Sequence, residues 1–295
     1  MTVAGTVVAA YGRQYRVELA DGATVLCVPR GKKSELVCGD SVLVLKLDSE
    51  QGVIESLTAR QSLLYRSDSG REKLIAANVT QIVIVVATDP PFTDELITRC
   101  IVAAESQGIG VLIVLNKCDL ADRLAAAAAI LAPYERLGYR VLRLTARQDA
   151  SPLAEHLSHH LSLLIGQSGM GKSTLINALI PDARARTREI SHALHSGKHT
   201  TTHARLYRPS PQSALIDSPG LTAFGLHHLS SDEIAEAFVE LRPLLGSCRF
   251  RNCRHDREPD CSVQAALSRG EIDPRRFEID PRRFAAFRAL CTEID

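Results

Sequence analysis

Gly166-Gln167-Ser168-Gly169-Met170-Gly171-Lys172-Ser173 stands between an apolar run, Leu161-Ser162-Leu163-Leu164-Ile165, and a helical stretch that begins at Lys172. A glycine-rich loop closed by Lys-Ser and set between strand and helix is a complete P-loop in the context the motif requires. Its glycines let backbone N–H groups turn toward phosphate oxygens. The helix N-terminus adds positive potential. Lys172 is expected to neutralise phosphate charge, Ser173 to offer a hydroxyl to Mg2+, and Thr174 to continue the phosphate-binding turn.

On both sides of this loop, apolar strands alternate with helical patterns, which predicts a parallel α/β sheet. The expected strands cover residues 81–87, 110–115, 140–144, 161–165, 204–208 and 214–216, and the expected helices 94–106, 121–137 and 172–179. The runs are uniformly apolar, as in strands buried on both faces.

The base is chosen by Asn116-Lys117-Cys118-Asp119, directly after the strand Val111–Leu115. An aspartate carboxylate accepts two hydrogen bonds from guanine, from its ring N–H and its exocyclic amino group. Adenine lacks that donor pair and would leave the carboxylate unpaired, so Asp119 argues against an ATP-dependent enzyme. Asn116 helps to hold the loop and the base, and the Lys117 stem covers the base's face. Thr145-Ala146, after the next strand, reads as the second base-contacting loop.

Asp217-Ser218-Pro219-Gly220 ends another strand, where an Mg2+-linked aspartate and a γ-phosphate-sensing Gly220 would sit. Between it and the P-loop lies Gly197-Lys198-His199-Thr200-Thr201-Thr202. Thr201 or Thr202 is expected to bring a hydroxyl to Mg2+, and the spacing does not choose between them. The order is base loop, P-loop, phosphate sensors, a circular permutation of the usual GTPase order. The site survives it, because each loop stays at the carboxyl end of its strand. Leu221 follows the sensor where a water-orienting glutamine is expected, which predicts slow intrinsic hydrolysis accelerated by a partner.

Residues 1–60 alternate apolar and polar positions in five short runs, 5–10, 15–19, 23–29, 41–47 and 52–57. Five strands in that span suggest a barrel of the OB type, although other five-stranded topologies fit the pattern. Tyr11 and Tyr15 are its candidate base-stacking residues. A barrel that packs only on protein is the plainer alternative.

After residue 230 helical patterns return around Cys248, Cys253, His255 and Cys261. Three thiolates and one imidazole complete a closed tetrahedral zinc site, whose role is structural because no position is left for a reactive water. Glu-Ile-Asp-Pro-Arg-Arg-Phe occurs twice in tandem, at 271–277 and 278–284, and the second Asp-Pro pair predicts a last helix beginning at Asp280.

Net charge is only +1 and the first 60 residues carry seven basic and seven acidic side chains, so RNA binding must come from local patches. The apolar runs are too short to span a bilayer and the N-terminus has no basic, then apolar, leader, which predicts a cytoplasmic protein with no membrane partner.

The motifs NKCD at 116, GQSGMGKS at 166, GKHTTT at 197, DSPG at 217, FGLHHL at 224 and CRFRNCRHDREPDC at 248 resemble those of the RsgA (YjeQ) family of small-ribosomal-subunit biogenesis GTPases. The resemblance covers essentially the whole chain. It implies an OB-type β-barrel at 1–62, a central α/β circularly permuted P-loop GTPase domain at 63–229 and a mainly α zinc-binding domain at 230–295. It further implies GTP/GDP, Mg2+ and one structural Zn2+ as cofactors. The partner would be the small ribosomal subunit, contacted through its rRNA and stimulating hydrolysis by a monomer, with no role for DNA. The nucleotide set carried over is Asn116, Lys117, Asp119, Thr145, Ala146, Gly166–Thr174, Asp217 and Gly220. Mg2+ falls to Ser173, Thr202 and Asp217, and catalysis to Lys172, Thr201, Thr202 and His228. His227 and His228 are both candidates for the group that Leu221 cannot supply; the resemblance assigns the hydrolysis-promoting histidine to His228, with His227 standing where the family carries tryptophan. The duplicated heptapeptide is a second departure, since a single copy is expected.

Overall fold

The computed structural model describes residues 2–31, 35–68, 71–180, 204–218, 224–269 and 280–294. Thr201, Thr202, Gly220 and Leu221 lie outside these residues, as does most of the tandem heptapeptide.

Five strands build the N-terminal barrel: β1 (Thr2–Tyr11), β2 (Gln14–Leu19), β3 (Thr24–Pro29), β4 (Ser41–Lys46) and β5 (Gln51–Leu57). Alternation along β2, β3 and β4 sends Val17, Val25, Cys27, Val42 and Val44 inward, where they meet Val7 and Ile54 in a core of their own. The pairs β1–β2, β2–β3, β1–β4 and β4–β5 are antiparallel, and β3–β5 is parallel. The circuit 1-2-3-5-4-1 is closed, which removes the edges and selects the OB arrangement among five-stranded barrels. Tyr15 is a correction to the expected stacking pair: the β2 pleat turns it into the barrel core, 3% exposed. Tyr11, at the end of β1, stays half-buried.

A hairpin the sequence reading did not anticipate, β6 (Leu63–Asp68) with β7 (Arg71–Ala77), follows the barrel. The carboxamide of Gln107 holds its first residue in both directions, accepting from Leu63 N at 2.7 Å and donating to Leu63 O at 2.6 Å.

The GTPase domain is a sheet of β8 (Gln81–Ala87), β9 (Gly110–Asn116), β10 (Arg140–Arg143), β11 (Leu161–Ile165), β12 (Arg205–Ser210) and β13 (Ser213–Asp217), in the order β10-β9-β8-β11-β13-β12. All neighbours are parallel except β12 with β13. The helices α1 (Asp94–Glu105), α2 (Ala121–Arg136), α3 (Ser151–Leu157) and α4 (Lys172–Leu179) belong to this domain. Every residue of β8 is buried, as expected of a central strand in a parallel sheet, and α1 packs against it. The chain runs outward from β8 through β9 to β10, then returns to place β11 on the other side of β8. That reversal opens a crevice beyond the carboxyl ends of the strands, where ligands bind in open α/β sheets.

The C-terminal part is mainly helical, with α5 (Ser231–Ala237), a 3-10 turn (Arg242–Leu244), α6 (Ser262–Arg269) and α7 (Pro281–Ile294). A capping box between Ser230 and Glu233 starts α5. Asp280 starts α7, as its Asp-Pro pair predicts, with Oδ1 accepting from Arg282 N at 2.8 Å. Arg283 of α7 ties this part to the GTPase domain. Its guanidinium is 2% exposed, is paired with Glu240, and lies over the rings of Tyr134 in α2 and Phe238. Among the described residues no helix is long and apolar enough to cross a membrane.

Candidate active site and metal centre

The crevice is a cleft of about 520 Å³ between two walls. One is built on β9 and β10 and presents Asn116, Lys117, Asp119, Thr145 and Ala146; the other is the P-loop after β11, with Ser168, Gly169, Gly171, Lys172, Ser173 and Thr174. Asn116 locks them together. It is 2% exposed, donates through Nδ2 to Met170 O at 3.0 Å, and accepts at Oδ1 from Ala146 N at 2.9 Å. One carboxamide thus sets the separation of base loop, P-loop and Thr145 loop. Gly171 is what allows the approach: a Cβ there would lie 2.2 Å from Asn116 Nδ2, and its φ is +98°.

Asp119 is exposed at the mouth of the cleft. Its backbone N–H donates to Thr145 Oγ1 at 3.1 Å, and that hydroxyl donates back to Asp119 Oδ1 at 3.3 Å. A carboxylate has about four acceptor positions, so one hydroxyl leaves room for both guanine N–H donors. Lys117, at φ +60°, donates through Nζ to Asp89 O at 2.5 Å, and its own carbonyl accepts from Thr88 Oγ1 at 2.7 Å. Its stem is therefore laid along the wall.

Lys172 Nζ donates to the carbonyls of Gly166 and Gln167, the latter at 2.9 Å. Burial lowers its pKa, and the nearby Asp217 carboxylate opposes the shift. Asp217, the last residue of β13, shows the mirror effect: burial raises its carboxyl and Lys172 opposes. Gly171 precedes α4 with no side chain capping the helix, so the first amides face the cleft. A lysine, a serine hydroxyl, free helix-terminal amides and an aspartate fit a phosphate chain with Mg2+; Lys172 and the amides would hold phosphates, Ser173 and Asp217 the cation.

Three further residues line the cleft that the sequence reading did not name: Asp89, Leu120 and Arg147. Asp89 forms an ion pair with Arg123 of α2. Its signal was position, since it follows the carboxyl end of a central parallel strand. His228 is not among the lining residues. It is exposed, with its ring centroid 4.6 Å from that of Tyr65 in the hairpin, while His227 Nε2 is 3.9 Å from Glu293. His156, His159 and His160 precede β11; His160 Nδ1 contacts Thr80 Oγ1 at 3.1 Å.

Cys248, Cys253, His255 and Cys261 bring their ligand atoms within 4.8 Å of one another. Cys248 Sγ is 3.5 Å from His255 Nδ1 and 3.9 Å from Cys261 Sγ, and His255 Nδ1 is 3.4 Å from Cys261 Sγ. A tetrahedron with Zn–S of about 2.3 Å and Zn–N of about 2.0 Å has edges of about 3.8 and 3.5 Å. The donor set therefore fits a structural zinc. Burial depresses the His255 pKa and favours the neutral imidazole a metal needs. Gln264 Nε2 donates to the carbonyls of His255 and Asp256 at 2.9 and 2.7 Å, and Phe287 of α7 lies 6.3 Å from the His255 ring. The cluster is thereby joined to the last helix.

A family model described as RsgA GTPase matches residues 57–227, the stretch that carries every nucleotide motif. The chain belongs to the RsgA GTPase family. It is a GTP hydrolase with circularly permuted motifs. Relatives in that family are similar over nearly the whole chain. The small ribosomal subunit biogenesis GTPase RsgA of Nitrosospira multiformis is 54% identical, over 92% of this chain and 87% of its own length. The protein of the same name from Nitrosomonas europaea is 51% identical, over 93% and 88%. Among solved structures, YjeQ from Thermotoga maritima aligns with a TM-score of 0.74 at 27% identity, covering 100% of this chain and 99% of its own. YloQ, described as a circularly permuted GTPase, aligns at 0.72 with 25% identity, over 100% and 95%.

Proposed function

We propose that this RsgA-family GTPase is an assembly factor for the small ribosomal subunit, acting as a cytoplasmic monomer. It binds the maturing subunit in the GTP state, contacts its rRNA, hydrolyses GTP when the subunit prompts it, and leaves. The observation that carries the reading is the 54% identity over 92% of the chain to a relative named for small-subunit biogenesis.

In this reading Asp119 selects guanine, with Asn116 and Lys117 shaping the base pocket beside Thr145 and Ala146. Lys172 and the amides of Gly166–Thr174 neutralise and orient the phosphates, which is most of what phosphoryl transfer asks of a protein. Ser173, Asp217 and one of Thr201 and Thr202 would hold Mg2+, and Gly220 would sense the γ-phosphate. When bound there, Mg2+ would supply charge neutralisation to the phosphate chain. With Leu221 unable to orient water, His228 promotes hydrolysis once the subunit draws it toward the cleft. Its present place beside Tyr65, outside the cleft lining, accords with a slow basal rate. The zinc cluster holds the C-terminal domain as a rigid platform against rRNA.

Cosedimentation tests this directly. Protein with a non-hydrolysable GTP analogue should pellet with small subunits and not with large ones, and GDP should release it. Equal pelleting in every nucleotide state, or with neither subunit, would point instead to a GTP-regulated adaptor for another partner.

A further inference from the structure

The nucleotide site proposed above gives residues to a base and to a phosphate chain, and none to the ribose that joins them. Asp89 lines the same cleft without a role. Thr88 and Asp89 carry the chain from the end of β8 to the place where the two walls meet. Thr88 N–H donates to Asn116 O at 3.2 Å, and its hydroxyl donates to Lys117 O at 2.7 Å. The Asp89 carbonyl accepts from Lys117 Nζ at 2.5 Å. These bonds fix Asp89 to the base wall. On its other side Pro90 reaches the P-loop, where a Cβ on Gly169 would lie 3.4 Å from Pro90 Cδ. The Asp89-Pro90 pair therefore touches both walls. The Asp89 side chain is 45% exposed, and its Oδ1 is paired with Arg123 of α2. Among the described residues nothing donates to Oδ2.

We infer that Asp89 accepts a hydrogen bond from the ribose hydroxyls and so makes the cleft prefer ribonucleotides, an inference that rests on the nucleotide site proposed above. An ionised carboxylate can only accept. Phosphate oxygens also only accept and carry like charge, so the phosphate chain offers Asp89 no bond. The donors of guanine face Asp119. The ribose diol is the remaining donor group of the nucleotide, and it lies between base and phosphates, where Asp89 stands between the two walls. A site that hydrogen-bonds a substrate hydroxyl rejects the analogue lacking it, because its own polar group then loses a partner. Half-exposure lets water replace part of that bond, which keeps the discrimination modest. Arg123 offsets the charge of Asp89 beside a polyanionic ligand.

The test is isothermal titration calorimetry of full-length, zinc-loaded protein with GDP and with 2′,3′-dideoxy-GDP. Wild type should bind GDP about tenfold more tightly, the worth of one partly solvated hydrogen bond to an ionised group. Asp89→Ala should bind GDP as weakly as wild type binds the dideoxy nucleotide. It should bind the dideoxy nucleotide as well as wild type does, which a damaged site would not. Asp89→Asn, whose carboxamide oxygen still accepts, should keep part of the preference, and Arg123→Gln should keep all of it. Equal wild-type affinities for the two nucleotides overturn the proposal and leave the guanine site standing. So does a preference that Arg123→Gln abolishes as fully as Asp89→Ala, or an Asp89→Ala loss of the same size for both nucleotides. If wild type binds neither nucleotide, the proposed nucleotide site falls together with the role of Asp89.

Discussion

Gly171→Ala is the substitution whose cost the site geometry defines most sharply. A methyl group at this position meets Asn116 Nδ2 at 2.2 Å, in a backbone conformation with φ +98°. Left-handed backbone costs an L-residue about 1–2 kcal/mol. Relieving the clash moves Asn116, which surrenders its bonds to Met170 O and Ala146 N. Each lost bond costs about 1 kcal/mol, and more where a buried group is left unpaired. The combined penalty of about 3–5 kcal/mol corresponds to a roughly 150- to 4,000-fold loss of affinity if the nucleotide-bound loop must bear it. The free protein can relax its loop, so the melting temperature should fall by only a few degrees. Gly169→Ala is the graded control. It shares a positive φ of +82° but meets only the Pro90 ring, Cδ at 3.4 Å and Cγ at 3.5 Å, which are ordinary contacts, so backbone strain alone predicts a loss of about tenfold. Titration with a fluorescent GDP analogue, alongside thermal melting, measures both. A Gly171→Ala dissociation constant within threefold of wild type, or a larger loss in Gly169→Ala, would refute the reasoning.

Four other outcomes are expected. Asp119→Asn replaces one acceptor with a donor, so GTP affinity should drop at least about 100-fold while xanthosine triphosphate gains, as competition binding would show. Arg283→Met leaves the buried Glu240 without its partner and should cost about 3–5 kcal/mol in denaturant unfolding, much of it recovered by adding Glu240→Leu. Burial raises the Asp217 carboxyl and Lys172 opposes the shift, so protons compete with Mg2+ for it more readily than for an exposed aspartate. The Mg2+ concentration needed for half-maximal GTP turnover should therefore rise as the pH is lowered toward the raised carboxyl, and Asp217→Asn should flatten that dependence. Purified protein should release one zinc per chain to a strong chelator, and Cys261→Ser should abolish the stoichiometry and lower the stability of α7 through His255 and Phe287.

What the sequence made legible follows the range over which each feature is determined. The P-loop and NKCD loop depend on a few contiguous residues after a strand, so the residues themselves declare the local chemistry. Permutation was readable because it is a property of motif order. The barrel's strands were visible as alternation, but their closure through the parallel β3–β5 pair depends on contacts between distant segments. Tyr15 shows the limit of alternation: the pattern marks a strand, and which face meets the core is settled by packing. The β6–β7 hairpin escaped because Tyr65-Arg66-Ser67-Asp68 dilutes its apolar signal with charge. Arg283, inside a repeated heptapeptide, reads as a solvated residue, and only the fold supplies Glu240, Tyr134 and Phe238 around it. Asp89 likewise belongs to no motif and joins the site through the end of β8.

GTP turnover by purified protein, alone and with small subunits, large subunits or a neutral RNA, tests the central claim most directly. The expected result is a slow basal rate and a large stimulation by small subunits only, lost in Lys172→Ala and reduced in His228→Ala. Equal rates in every mixture would contradict it, leaving a GTPase whose prompt is not the ribosome.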